Sequence, residues 1–316
     1  MLSPLPAPVP RALAGAAAVT LLLAGCSALT GGSGGGGDRV VAAFYPLAWV
    51  TGRVAGEHYQ VTNLTRPGGE PHDLELSIKE TADVEDAALV VFEHDFQPAV
   101  DAAVDQNAEG EVLDVADVVE LRPFADHEGE GHEGEGHDHG DSGLDPHFWL
   151  DPLLMADVAD AVADELSGLD PDHADEYAGN AADVRDDLTA LDREYADGLA
   201  DCELHTVVVN HDAFGYLSRY GLHLEPIVGL TPEAEPTPAD LARLQDLVRI
   251  DDITTLFAES LGSPKAAESL AGDLGVNVEV LDPIEGLSDA TADEDYLSLM
   301  RQNLEKLQEA NQCVTP

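Results

Sequence analysis

The chain predicts an α/β protein of two lobes, each with a mostly parallel four-stranded sheet, bridged by one long rigid helix. Three observations carry this. Short β-rich runs alternate with helical stretches along both halves of the chain, the order that builds parallel sheets. The runs fall at 39–44, 60–64, 88–92 and 111–115, and again at 205–210, 224–228, 253–258 and 276–281. Between the two sets, Tyr177, Ala181, Val184, Leu188, Leu191, Tyr195 and Leu199 recur in steps of three and four, the mark of a long amphipathic helix.

Taken from the N-terminus, residues 12–25 are apolar and small, follow Arg11, and end in Leu23-Ala24-Gly25-Cys26. The run is short for a membrane span and reads as the core of a secretory signal over 1–25, with Cys26 in a bacterial lipobox as the lipidated first residue. Residues 26–37 are rich in Gly and Ser and form a flexible tether. The N-terminal lobe then covers 38–169, the linking helix 170–201 and the C-terminal lobe 202–316. Roughly 280 folded residues suit two such lobes. Helix starts repeat one signature, a capping side chain followed by proline: Asp151-Pro152, Asp170-Pro171, Thr237-Pro238 and Ser263-Pro264. A last helix over 292–310 carries Tyr296, Leu299, Met300, Leu304 and Leu307 on one face.

The formal net charge is −49, from 14 basic and 63 acidic residues. Removing 1–25 takes away Arg11 and no acid, so the exported part is no less negative. Such a surface is repelled by nucleic acid and by anionic lipid, so attachment to the membrane falls to the acyl chains on Cys26. The scarcity of lysine suits a salt-adapted organism, where screening offsets self-repulsion. Besides Cys26, Cys202 and Cys313 remain, an even pair that favours a disulfide in an exported protein.

Seven of the 12 histidines mark function. Three lie in turns or just past strands: Pro71-His72-Asp73, Asp145-Pro146-His147-Phe148-Trp149 and Asn210-His211-Asp212. Proline ahead of two of them fixes the local backbone, and Asp73, Asp145 and Asp212 are candidate acceptors for the second ring nitrogen. Four more, His127, His132, His137 and His139, sit in the acid- and Gly-rich tract 126–141, which cannot build a core and reads as a disordered accessory metal collector. His58, His173, His205 and His223 read as structural or solvent-exposed. Neutral imidazole is a common ligand for zinc and its neighbours, and the strand ends of two α/β lobes are where such groups converge.

These segments resemble the zinc-uptake solute-binding family, the zinc-binding periplasmic or lipoprotein components of ABC importers. The resemblance rests on Gly69-Glu70-Pro71-His72-Asp73, on Asp145-Pro146-His147-Phe148-Trp149-Leu150-Asp151-Pro152 and on Asn210-His211-Asp212-Ala213-Phe214-Gly215-Tyr216. Acidic segments Phe257-Ala258-Glu259 and Leu281-Asp282-Pro283 extend it over 38–316. It implies His72, His147, His211 and Asp282 as ligands, with Glu259, Glu70 and His94 as further candidates. It also implies an extracytoplasmic monomer that delivers Zn²⁺ to an ABC permease and its ATPase. A manganese or iron importer component is the alternative, Mn²⁺ being favoured by relatives with Glu where His211 stands. A metal-dependent adhesin or chaperone is another. A metallohydrolase lacks support, because no His-Glu-x-x-His or nucleophile motif occurs.

Overall fold

The computed structural model describes residues 37, 39–124, 143–230, 232 and 234–314. The expected signal, Cys26, most of the tether, and His127, His132, His137 and His139 lie outside the described residues. All eight expected strands form. The first lobe runs β1 (Arg39–Ala42), α1 (Tyr45–Ala55), β2 (Gln60–Asn63), α2 (Ile78–Glu85), β3 (Leu89–Phe92), α3 (Pro98–Asn107) and β4 (Glu111–Asp114). Two helices follow, α4 (Pro152–Leu169) and α5 (Ala174–Gly198). The second lobe runs β5 (Thr206–Val209), β6 (His223–Pro226), α6 (Pro238–Ile250), β7 (Thr255–Ala258), α7 (Lys265–Leu274), β8 (Asn277–Val280) and α8 (Tyr296–Ala310).

The sheets share one topology, β2-β1-β3-β4 and β6-β5-β7-β8. Every strand pair between the described residues is parallel. The carboxyl ends within a sheet therefore lie along one edge, and the order reverses between β1 and β3 and between β5 and β7, where ligand crevices open in such folds. β3 and β7 are buried throughout, which is why they read as unbroken apolar runs rather than alternating ones. The edge strand β8 is mostly exposed.

The link between the sheets differs from the expectation in one respect. The α4 and α5 helices pack against each other, and α5 is also touched by α1 and α8. The 25 residues of α5 bury Tyr177, Ala181, Val184, Leu188, Leu191 and Tyr195. Its length is about 37 Å. Asp170 does not cap it. Pro171–His173 form a separate 3-10 turn, which accommodates a leading proline as readily as an α-helix does. The Asp170 carboxylate instead accepts from His173 Nδ1 at 2.6 Å and from Tyr177 OH at 3.0 Å. Asp151 does cap α4, and Thr237 forms a capping box with Asp240 at α6. Ser263 makes no cap at α7, and the final helix starts at Tyr296 under an Asp295–Ser298 capping box. Cys202 and Cys313 are disulfide-bonded, joining the segment after α5 to the one after α8.

Candidate metal centre

Each of the three motif histidines is aimed by a different local device. His147 stands at the head of a short 3-10 turn, Phe148–Leu150. Asp145 Oδ1 accepts both its backbone N–H, at 3.0 Å, and its ring Nδ1, at 2.8 Å. A carboxylate can only accept, so Nδ1 carries a proton and Nε2 is the nitrogen left to face the cleft. Tyr216 OH donates to the Asp145 carbonyl at 2.8 Å. Gly215 must lack a side chain for Asp145 to sit there, since a Cβ would come 2.8 Å from Oδ2.

His211 follows β5, and Glu259 follows the adjacent β7. Glu259 Oε1 accepts the His211 backbone N–H at 3.0 Å and pairs closely with Nδ1. The two strands flanking the crevice of the second sheet thus supply a ring and the group that orients it. His72 sits in the loop after β2, where Gln97 Nε2 donates to the Pro71 carbonyl at 3.0 Å and to Thr65 Oγ1 at 3.0 Å. Glu70 Oε1 accepts its backbone N–H at 3.2 Å. Phe96 meets the His72 ring edge-on at 4.8 Å, and the Trp149 ring lies 5.2 Å from that of His147, so the floor of the site is aromatic.

The fourth member is Glu285, which the sequence analysis did not single out. Its Oε1 lies 3.5 Å from His72 Nε2, 3.4 Å from His147 Nε2 and 3.4 Å from His211 Nε2. His72, His147, His211 and Glu285 form one group whose ligand atoms all lie within 4.8 Å of one another. The three Nε2 atoms and Glu285 Oε1 are all buried, and none has a hydrogen-bond partner. Buried polar atoms are rarely left so. Four together, pointed at one spot, make a donor set for a cation.

Asp282, the expected fourth ligand, lies outside this group. Its Oδ1 accepts the Ile284 N–H at 2.7 Å, while Asn303 brackets its backbone on both sides, with Asp282 N–H donating at 2.9 Å and Asn303 Nδ2 donating to its carbonyl at 2.6 Å. Ile284 adopts φ 60°, a left-handed conformation that a β-branched residue enters only under constraint. Trp149 Nε1 donates to the Pro283 carbonyl at 2.7 Å. Asp282 therefore shapes the turn, and the turn swings Glu285 into the cleft. The legible signal was a second acid three residues beyond Asp282 in a proline-containing turn. Glu259 and Glu70 likewise hold histidines rather than join the group. His94 is exposed and belongs with Asp95 and Asp101 to a different cluster.

Electrostatics follow from this burial. Burial alone would raise the Glu285 carboxyl, but His72 and the close rings of His147 and His211 hold it well below the usual carboxylate range. Burial alone would lower His211, but Glu259 and Glu285 raise it well above an ordinary histidine. His147 is raised against the same burial by Asp145 and Glu285. In the metal-free chain the cleft is a proton-holding cluster, and a cation entering it competes with those protons.

Two parallel sheets whose adjoining loops close three imidazoles and a carboxylate around one buried point define a solute-binding protein with a metal cleft. The family described as zinc-uptake complex component A, periplasmic (ZnuA), matches residues 40–310, and the chain belongs to it. It is 33% identical over 304 residues to the high-affinity zinc uptake system protein ZnuA of Bacillus subtilis, covering 93% of this chain and 95% of that protein. It is 34% identical over 282 residues to the zinc-binding lipoprotein AdcA of Streptococcus pneumoniae, covering 86% of this chain but 55% of that one. The chain thus spans about half the length of the AdcA proteins it matches. Among solved structures it resembles the Zn(II)-bound ZnuA-like domain of Streptococcus pneumoniae AdcA, with TM-score 0.72 and 31% identity over 86% of this chain and 98% of that domain. It also resembles the laminin-binding protein Lmb of Streptococcus agalactiae, described as having adhesin and metal-transporting activity, with TM-score 0.75, 30% identity and the same coverage.

Proposed function

We propose that the chain captures Zn²⁺ outside the cytoplasm and delivers it to an ABC permease driven by its ATPase, with Cys26 carrying the lipid anchor. His72, His147 and His211 would bind through Nε2, and Glu285 through Oε1. The observation that carries this reading is the set of four convergent, buried, unpartnered donor atoms. Three imidazoles and one carboxylate match a closed tetrahedral zinc site and suit the harder Mn²⁺ less well. The zinc-binding relatives support the same cargo.

The test counts bound metal per chain on residues 38–316 under zinc and manganese competition. One tight zinc is expected, surviving deletion of 126–141 and absent when His72, His147 and His211 are all changed to Ala. Glu285→Ala should weaken zinc on the order of a hundredfold or more, one ligand's share of a structural zinc site. Asp282→Ala should leave one zinc per chain. Manganese preference, or a metal that leaves with the tract, would overturn the reading. Loss of zinc uptake on deleting the gene separates an importer component from an adhesin.

A further inference from the structure

A second histidine cluster lies apart from the cleft ligands. His58 follows α1, and His173 ends the short turn before α5. The fold brings their rings into a stack with centroids 4.0 Å apart and planes 30° from parallel. One nitrogen of each ring faces a carboxylate, with Asp170 Oδ2 at 2.6 Å from His173 Nδ1 and Glu176 Oε2 at 3.0 Å from His58 Nε2. The second contact is not a hydrogen bond. His58 Nε2 is buried and has no hydrogen-bond partner, although a carboxylate oxygen stands beside it. A shared cation resolves such an arrangement. Tyr177, itself buried, donates its hydroxyl to Asp170 Oδ2 at 3.0 Å and sets its ring edge-on to His58 at 5.6 Å, which fixes the cluster from behind.

We propose that His58, Asp170 and His173 form a second metal site, for Zn²⁺ or an equally imidazole-seeking divalent ion, with Glu176 alongside. The ligand atoms of the three lie within 4.8 Å of one another, wider than the roughly 3.4 Å between donors of a tetrahedral ion with bonds of about 2.1 Å, so the side chains draw in when an ion binds. Two imidazoles select zinc, copper and nickel over magnesium and calcium. The positive end of α5 opposes a cation here, and Asp170, Asp172, Asp175 and Glu176 within and beside its first turn offset it. The rings are partly open to solvent, so this site binds more weakly than the cleft. An ion there clamps the start of α5 to the end of α1.

The test is zinc calorimetry on residues 38–316 already carrying cleft zinc, with His127, His132, His137 and His139 changed to Ser. One further zinc per chain is expected, weakened at least tenfold by His58→Asn and by His173→Asn with the cleft zinc unchanged. Zinc-soaked crystals should show anomalous scattering among His58, Asp170 and His173, a readout that does not depend on either variant folding. No further zinc, or a further zinc indifferent to both substitutions, overturns the proposal. The chain with His72, His147 and His211 changed to Ala should keep this site, so its failure is read separately from that of the cleft.

Discussion

Glu259→Gln tests how His211 is held. One carboxylate oxygen accepts both the backbone N–H of His211, at 3.0 Å, and its ring Nδ1, and Glu259 is only 7% exposed. Hydrogen bonds to a charged group contribute about 1.5–3 kcal/mol, roughly twice those to a neutral acceptor. Gln keeps the shape and loses the charge, so about 1–2 kcal/mol of ligand orientation is lost, roughly five- to thirtyfold in zinc affinity. Chelator-competition calorimetry with metal counting should give one zinc per chain, bound that much more weakly. Glu259 also raises the His211 pKa, so the variant carries less proton competition. The gap between the two proteins should therefore narrow as pH is lowered from about 8 to about 6, around and above the ordinary histidine value. A variant that binds no zinc would make Glu259 a ligand, and one with unchanged affinity would mean it orients nothing.

Zinc affinity should fall with decreasing pH from a higher starting point than an ordinary histidine site, because His147 and His211 both hold their protons more tightly than the usual value of about 6.5. In the metal-free chain those raised values stabilise the fold below the unfolded pKa, a contribution lost as pH rises through the folded ones. The thermal stabilisation that zinc adds should accordingly be largest at the alkaline end, and an increment that grew on acidification would refute this. Changing Cys202 and Cys313 to Ser removes a link across a sequence separation of 111. The chain-entropy relation gives a loss of about 4–5 kcal/mol, read from guanidinium midpoints, with zinc per chain unaltered.

Much of this was legible in the sequence for physical reasons that differ by element. Strands β3 and β7 are buried on both faces and show as apolar runs, and α5 shows because one face of a long helix must repeat. Asp151 and Thr237 cap as expected because their partners lie within three residues. Asp170 misled because the turn at Pro171–His173 depends on His173 and Tyr177 drawing its carboxylate away from the helix. The three cleft histidines stood out through their prolines and strand ends. Glu285 did not, since its place depends on the conformation of Ile284 and on the Trp149–Pro283 hydrogen bond, a contact between residues 134 apart. The meeting of His58 and His173 is hidden in the same way, being a product of how α1 and α5 pack.

The four cleft groups are not equally sheltered. The side chains of His147, His211 and Glu285 are 0–1% exposed, while that of His72 is 16% exposed. Among the four, traffic therefore has a threshold. On the capture reading proposed above, an arriving ion would exchange its first water for His72 and lose the rest further in, and an acceptor taking the ion back would begin by competing with that same ring. On that reading the inner three would set how firmly the ion is held, and His72 how fast it changes hands. A weakened inner ligand shows in the equilibrium, whereas a change at the loop after β2 shows first in the clock.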